Sequence, residues 1–146
     1  MIRNEKEAEI TRGRLAETEQ ALAQQRSALE AVGLSVADIK RGLDPMECIR
    51  AQLMDELTQY ERARRRDFEP IMTLTGIGQL LIAARIANGL TQRDLADCLG
   101  VNETQVSRDE RNDYHGITVD RAQRILDSMN ETVTVRLESK ATASVA

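Results

Sequence analysis

The chain has 146 residues, a net charge of −4, 41% hydrophobic residues and 30% charged ones. That balance excludes a disordered chain, and the length holds one domain or two small ones. Aromatics are confined to Tyr60, Phe68 and Tyr114, so any core is aliphatic, which favours helices over strands. Cys48 and Cys98 stand far apart and His115 is the only histidine, so neither a disulfide framework nor a metal site is expected. The expectation is a cytoplasmic protein with no cofactor. No apolar run follows the first charges and no long apolar stretch occurs elsewhere, so neither a signal peptide nor a membrane contact is expected.

Asn4 with Glu7 has capping-box spacing and predicts the start of a long helix, which Gly33 ends. Leu15, Leu22 and Leu29 recur every seventh residue within it, with Ala8 one heptad earlier. Ser35 with Asp38 predicts a short turn closed by Gly42. Asp44-Pro45 with Glu47 then predicts the start of a second long helix, whose apolar stripe is Met46, Ile49, Leu53, Leu57 and Tyr60. Two amphipathic helices on a short connection read as an antiparallel hairpin. The leucine row reads as the seam of that hairpin, because its flanks are Thr11, Thr18 and Gln25 and a dimeric zipper wants apolar residues at both seam positions. An intermolecular coiled coil is the other reading. The charged run Arg64 to Pro70 predicts a domain boundary, giving a hairpin at 1–70 for oligomerisation or partner binding.

Beyond the boundary, Ile77, Leu80, Leu81, Ala84 and Ala87 form one helical face that Gly89 ends. Thr91 to Asp94 is a capping box for a short helix with Leu95, Ala96 and Leu99 inward, closed by Gly100. Asn102 to Gln105 is a second box, opening a polar helix anchored by Val106. Two short helices across a glycine turn form a helix-turn-helix, whose second helix enters the major groove of duplex DNA. The outer face of that helix, from Glu103 to Arg111, carries Glu103, Thr104, Gln105, Ser107 and Arg108. Arginine can bridge guanine acceptors, glutamine can pair with adenine and glutamate can accept from cytosine. A solvated helix is the plainer reading of a polar face; two capped short helices this close together argue against it.

Several motifs agree in order and spacing with the Cro/CI (XRE) helix-turn-helix family, and the chain resembles it from about Ile77 to Met129. They are Leu81-x-x-Ala84-Arg85, Gly89-Leu90-Thr91-Gln92-x-Asp94-Leu95-Ala96, Leu99-Gly100-Val101 and Val106-Ser107-Arg108-x-Glu110. The resemblance implies a domain of about five helices that binds operator DNA as a homodimer. It implies that Gln92 meets a phosphate or the groove edge, that Glu103, Thr104, Gln105 and Arg108 face bases, and that the loop Asn112 to His115 follows the DNA backbone. It also implies an ion pair between Arg85 and Glu110. Arg93, Asn102, Ser107, Arg111 and Tyr114 complete the candidate DNA-binding set. Two departures stand out: Glu103, where the family usually has glutamine, repels phosphate, and Asp109 stands where an apolar residue is usual, within reach of Arg111 or Arg124.

Thr118 predicts a helix cap before Ala122, Ile125, Leu126 and Met129. Thr132 to Glu138 alternates, with Val133, Val135 and Leu137 on one face, and predicts a short β-strand. A lone strand needs a partner, and pairing with its own copy across a two-fold axis is the expectation. Domain 71–138 is thus all-α with one C-terminal strand, and 139–146 is a disordered tail. From Gly76 to Arg136 seven arginines face nine acidic residues, so DNA binding depends on local charge arrangement or on dimerisation. No nucleophile with a base, metal cluster or phosphate loop points to an enzyme. Two functional readings follow: a transcriptional regulator, with repression the expected effect, and an antitoxin that neutralises a toxin through its hairpin while regulating its own operon.

Overall fold

In the computed structural model, which describes residues 1–139, every regular element is helical. The first helix, α1 (Glu5–Ala31), starts at Asn4, whose side-chain oxygen accepts from the Glu7 amide at 2.9 Å. The Glu7 carboxylate reaches one residue further back than a capping box does and accepts from the Arg3 main-chain N–H at 2.8 Å. The second helix, α2 (Val36–Arg64), returns antiparallel, since Glu5 accepts from Tyr60 near one end of the pair and Arg26 meets Glu47 toward the other. Leu22, Leu43 and Leu53 are buried along this seam.

The expected break between Gly42 and Pro45 is absent, and α2 runs through both. Ile39, Leu43, Met46, Leu53, Leu57 and Tyr60 stay in helical phase across the interval, so continuing the helix keeps the seam closed. Pro45 forfeits one backbone bond, to the carbonyl of Arg41, on an exposed side of the helix. Gly42 acts as a close-approach point and not as a stop: a Cβ there would sit 3.2 Å from Leu29 Cδ1.

After the connection come a 3-10 turn (Leu74–Gly76), α3 (Ile77–Ala87), α4 (Gln92–Leu99), α5 (Glu103–Arg111) and α6 (Val119–Ser128). Four α-helices follow residue 70, one fewer than expected. Leu81, Ile82, Leu95, Val106, Ala122, Ile125 and Leu126 converge between them. The same cluster takes in Ile2, Ala8, Tyr60 and Ala63 from the hairpin side, with Val133 packed partly against it. Side chains from both sides of residue 70 therefore share one core where the hairpin base meets α3.

No strand forms among the described residues, which corrects the expectation for Thr132 to Glu138. A strand needs a neighbouring backbone for its peptide groups, and among the described residues this segment pairs with none, although the non-helical stretch Phe68 to Met72 borders the same open groove. Val135 and Leu137 are left exposed. The tail expected at 139–146 lies, apart from Ser139, outside the described residues.

Candidate nucleic-acid interface

The α4 helix is set by a complete capping box: Thr91 Oγ1 accepts from the Asp94 amide at 3.0 Å, and Asp94 accepts from the Thr91 amide at 2.8 Å. The Thr91 hydroxyl also donates to Asp94 Oδ2 at 2.7 Å, and this bond first, with the one from the Thr91 amide after it, holds the Asp94 carboxyl below its ordinary range. The α5 helix follows after a turn at Gly100 and Val101. Asn102 makes no side-chain cap bond, so its expected box with Gln105 does not form and its amide stays free at the surface.

Val106 and Glu110 bury the inner face of α5. Opposite them, Glu103, Thr104, Gln105 and Arg108 are exposed and Ser107 is half-buried. Open grooves border this face on both sides, one lined by Gln92, Ser107 and Arg111, the other by Arg93, Asn102 and Gln105. The arrangement presents donors and acceptors in a row on a helix whose back is anchored.

The anchor is polar as well as apolar. Arg85, 2% exposed, donates from Nε to Glu110 Oε1 at 2.5 Å and from Nη2 to Oε2 at 2.8 Å, with Glu110 0% exposed. Two further donors meet the carbonyls of Leu90 (2.7 Å) and Arg3 (2.9 Å). A buried bidentate pair with four of its five guanidinium N–H groups engaged locks α5 to α3. Gln92 joins the group by donating to Glu110 Oε2 at 2.7 Å, which ties the first residue of α4 to the last turn of α5.

Local pairing resolves both departures from the family pattern. Glu103 meets Arg93 at 3.2 Å, so its charge has a neighbour of opposite sign on α4. Asp109 pairs with Arg121 of α6, and not with Arg111 or Arg124. Tyr114 is a correction to the candidate set: it is 6% exposed within the core, and burial, followed by the charges of Glu110 and Asp109, pushes its phenol well above the ordinary range. Its ring therefore belongs to the domain core and not to the exposed row on α5. Arg111 and Asn112 remain exposed beside it.

Two contributors escaped sequence reasoning. Gly78 packs α3 against the loop after α5, where an added Cβ would lie 1.9 Å from the Asp113 carbonyl oxygen; a glycine inside an apolar helical stretch is a readable, though general, sign of such an approach. Arg3, 107 positions from Glu110, carried no sign at all.

Residues 81–135 match the family model described as Helix-turn-helix. The chain carries a helix-turn-helix domain of the Cro/CI type. That assignment makes it a DNA-binding transcriptional regulator in general terms. The helix-turn-helix domain thus takes in α4, α5, α6 and most of α3, while the hairpin lies outside the matched residues. No curated protein and no solved structure gives a significant match to the chain. Among the described residues, no helix is long and apolar enough to cross a membrane.

Proposed function

We propose that the protein binds duplex DNA sequence-specifically, inserting α5 into the major groove, and acts as a repressor. The observation carrying this reading is the exposed row Glu103, Thr104, Gln105 and Arg108 on a helix pinned from behind by Val106 and the Arg85–Glu110 pair. Arg108 and Gln105 lie three apart, share a face and address neighbouring base pairs. The amino-terminal end of α4, at Gln92 and Arg93, offers free main-chain N–H groups and a positive helix end to a phosphate. Arg111 and Asn112 flank the backbone further along.

A homodimer fits this reading, because a palindromic site doubles a contact surface that is weak in net charge. The segment 132–138, which forms no regular element in the single chain and leaves Val135 and Leu137 exposed, supplies a backbone edge for pairing with its copy. The hairpin, residues 1–70, shares its base with the domain core, and in this scheme the rest of it serves oligomerisation or partner binding. Its exposed Ile10, Ile49 and Met54 favour a second reading, in which the arm holds a toxin and the protein is an antitoxin.

Selection of bound duplexes from a random pool, followed by Arg108→Ala on the selected and a scrambled duplex, tests the proposal. Losing a base contact should cost about 1 to 3 kcal/mol on the selected duplex and little on the other. An unchanged ratio between the two duplexes removes α5 as the reader and leaves the toxin-holding role as the better reading.

A further inference from the structure

The main chain entering α1 runs directly under the recognition helix. Ile2 is 3% exposed within the core shared with α3. Arg3 then makes three contacts of different kinds. Its N–H is held by Glu7 at 2.8 Å, its carbonyl accepts from Arg85 Nη2 at 2.9 Å, and its Nη2 donates to the carbonyl of Glu110 at 3.1 Å. The first turn of the hairpin is thereby continuous with the buried pair, and through Glu110 with Gln92.

The Glu110 carbonyl occupies a particular place. It lies in the last turn of α5, where carbonyls lose their helical partners and the helix end carries partial negative charge, so a guanidinium there is favourable. The same oxygen accepts from the Asp113 amide at 3.0 Å, and the Tyr114 amide donates to the Asp109 carbonyl at 2.8 Å. Asp113 and Tyr114 both hold positive φ, at 48° and 51°, a conformation that aspartate tolerates but that a tyrosine keeps only when its surroundings favour it. The Arg3 guanidinium thus shares its acceptor with the first residue of that pair. The Arg3 Nε is buried without a hydrogen-bond partner, so the side chain is kept in place by its other contacts and not by solvation.

We propose that Arg3 is a positioning residue for DNA recognition: its guanidinium fixes the end of α5 and the loop Asn112 to Tyr114, and so sets the angle at which Gln105 and Arg108 meet the groove. The proposal rests on the reading of α5 as the DNA reader. Arg3 itself touches no base or phosphate in this scheme; it acts through Glu110.

Arg3→Ala in the full chain removes the guanidinium while keeping the main-chain bonds to Arg85 and Glu7. The ratio of affinities for the selected and scrambled duplexes should fall about tenfold, the size of one lost base contact, with the salt slope unchanged. Amide exchange should quicken at Asp113 and Tyr114 but not at Leu95 or Ala122, and Arg3→Lys should restore part of both effects. Equal weakening on the two duplexes, or exchange raised throughout the chain, makes Arg3 a general stabiliser and overturns the proposal. A salt slope lowered by about one on both duplexes makes it a phosphate contact, which also overturns it. Should the wild-type protein prefer no duplex, the DNA reading fails, and the exchange at Asp113 and Tyr114 alone decides whether Arg3 organises the loop.

Discussion

The α1 helix buries Ala8, Thr11 and Leu22 out of 27 residues, whereas α3, with 11, buries Gly78, Leu81, Ile82, Ala84, Arg85 and Ile86. Both are capped or stopped by ordinary residues. The hairpin lays two long helices along a single line of contact, so each side chain meets one partner helix and much of the surface stays wet. In the helix-turn-helix domain four short helices converge, and every one of them sees several neighbours. Helix length therefore says little about where stability resides. Charge is used differently as well: the hairpin strings exposed pairs such as Arg12 with Glu5 and Glu61 along its surface, while the domain buries one pair completely. Exposed pairs contribute little to stability, but breaking a buried one strands a charge.

The contrast breaks first at that buried pair. Glu110→Ala leaves Arg85 uncompensated in the core and should cost about 3 to 5 kcal/mol, lowering the melting temperature by roughly 10 °C for a chain of this size. Glu103→Ala, at an exposed pair, should barely move it. Similar small shifts in the two variants, read by calorimetry, remove the buried pair from its place as the domain's anchor.

Gly78→Ala comes next. The new Cβ must push the Asp113 carbonyl away from 1.9 Å, in a loop already at positive φ. Overpacking of this kind costs about 1 to 3 kcal/mol. The damage should reach α5, so affinity for the selected duplex should fall along with thermal stability, and a variant with normal melting and normal binding denies that the loop supports the reader.

Within the hairpin, Leu53→Ala should cost about 2 kcal/mol, at the low end for a buried leucine, because a seam open to solvent on both sides can close over the gap. Denaturant unfolding followed by helix content measures it. A loss as large as that from Glu110→Ala erases the distinction between the two regions.

The smallest expected effect lies at their joint. Glu131 accepts from Asn88 at 2.7 Å and from Arg66 at 2.5 Å, linking the end of α2 to the end of α3. The Asn88 amide first, and the Arg66 guanidinium after it, hold the carboxyl below its ordinary value of 4.5. A carboxyl whose pKa is depressed on folding lends stability that is fully present above that value and is lost as pH falls through the folded-state pKa. Melting temperature should therefore decline below pH 4.5, and Glu131→Gln should make that decline shallower. Identical acid profiles for wild type and variant assign the loss to other carboxyls.

Much of this architecture is legible from local chemistry. Thr91 and Asp94, three apart, specify a cap wherever they occur, and Gly89 and Gly100 follow the last inward residue of their helices. The exposed face of α5 follows from one anchor, Val106, and the 3.6-residue period. Asn102 and Pro45 were misread for opposite reasons. A capping residue at the surface can leave its amide to water, and a proline can be carried through a helix when the apolar seam on either side stays in phase. The burial of Tyr114 was not legible, because a polar loop does not reveal that its backbone turns one ring inward.

The sequence by itself determined the helical class, most helix limits, the exposed face of α5 and the identity of the Arg85 and Glu110 partners, because each rests on short-range spacing or on a family pattern. Tertiary structure decided what covers the domain core, why Gly78 has no side chain, how Asp109 is neutralised and what Arg3 does. Those depend on segments brought together from up to 107 positions apart, and no local periodicity encodes which chain end will lie against which helix. The C-terminal segment shows the same limit from the other side: alternation marks Thr132 to Glu138 as able to form a strand, but only a neighbouring backbone can make it one.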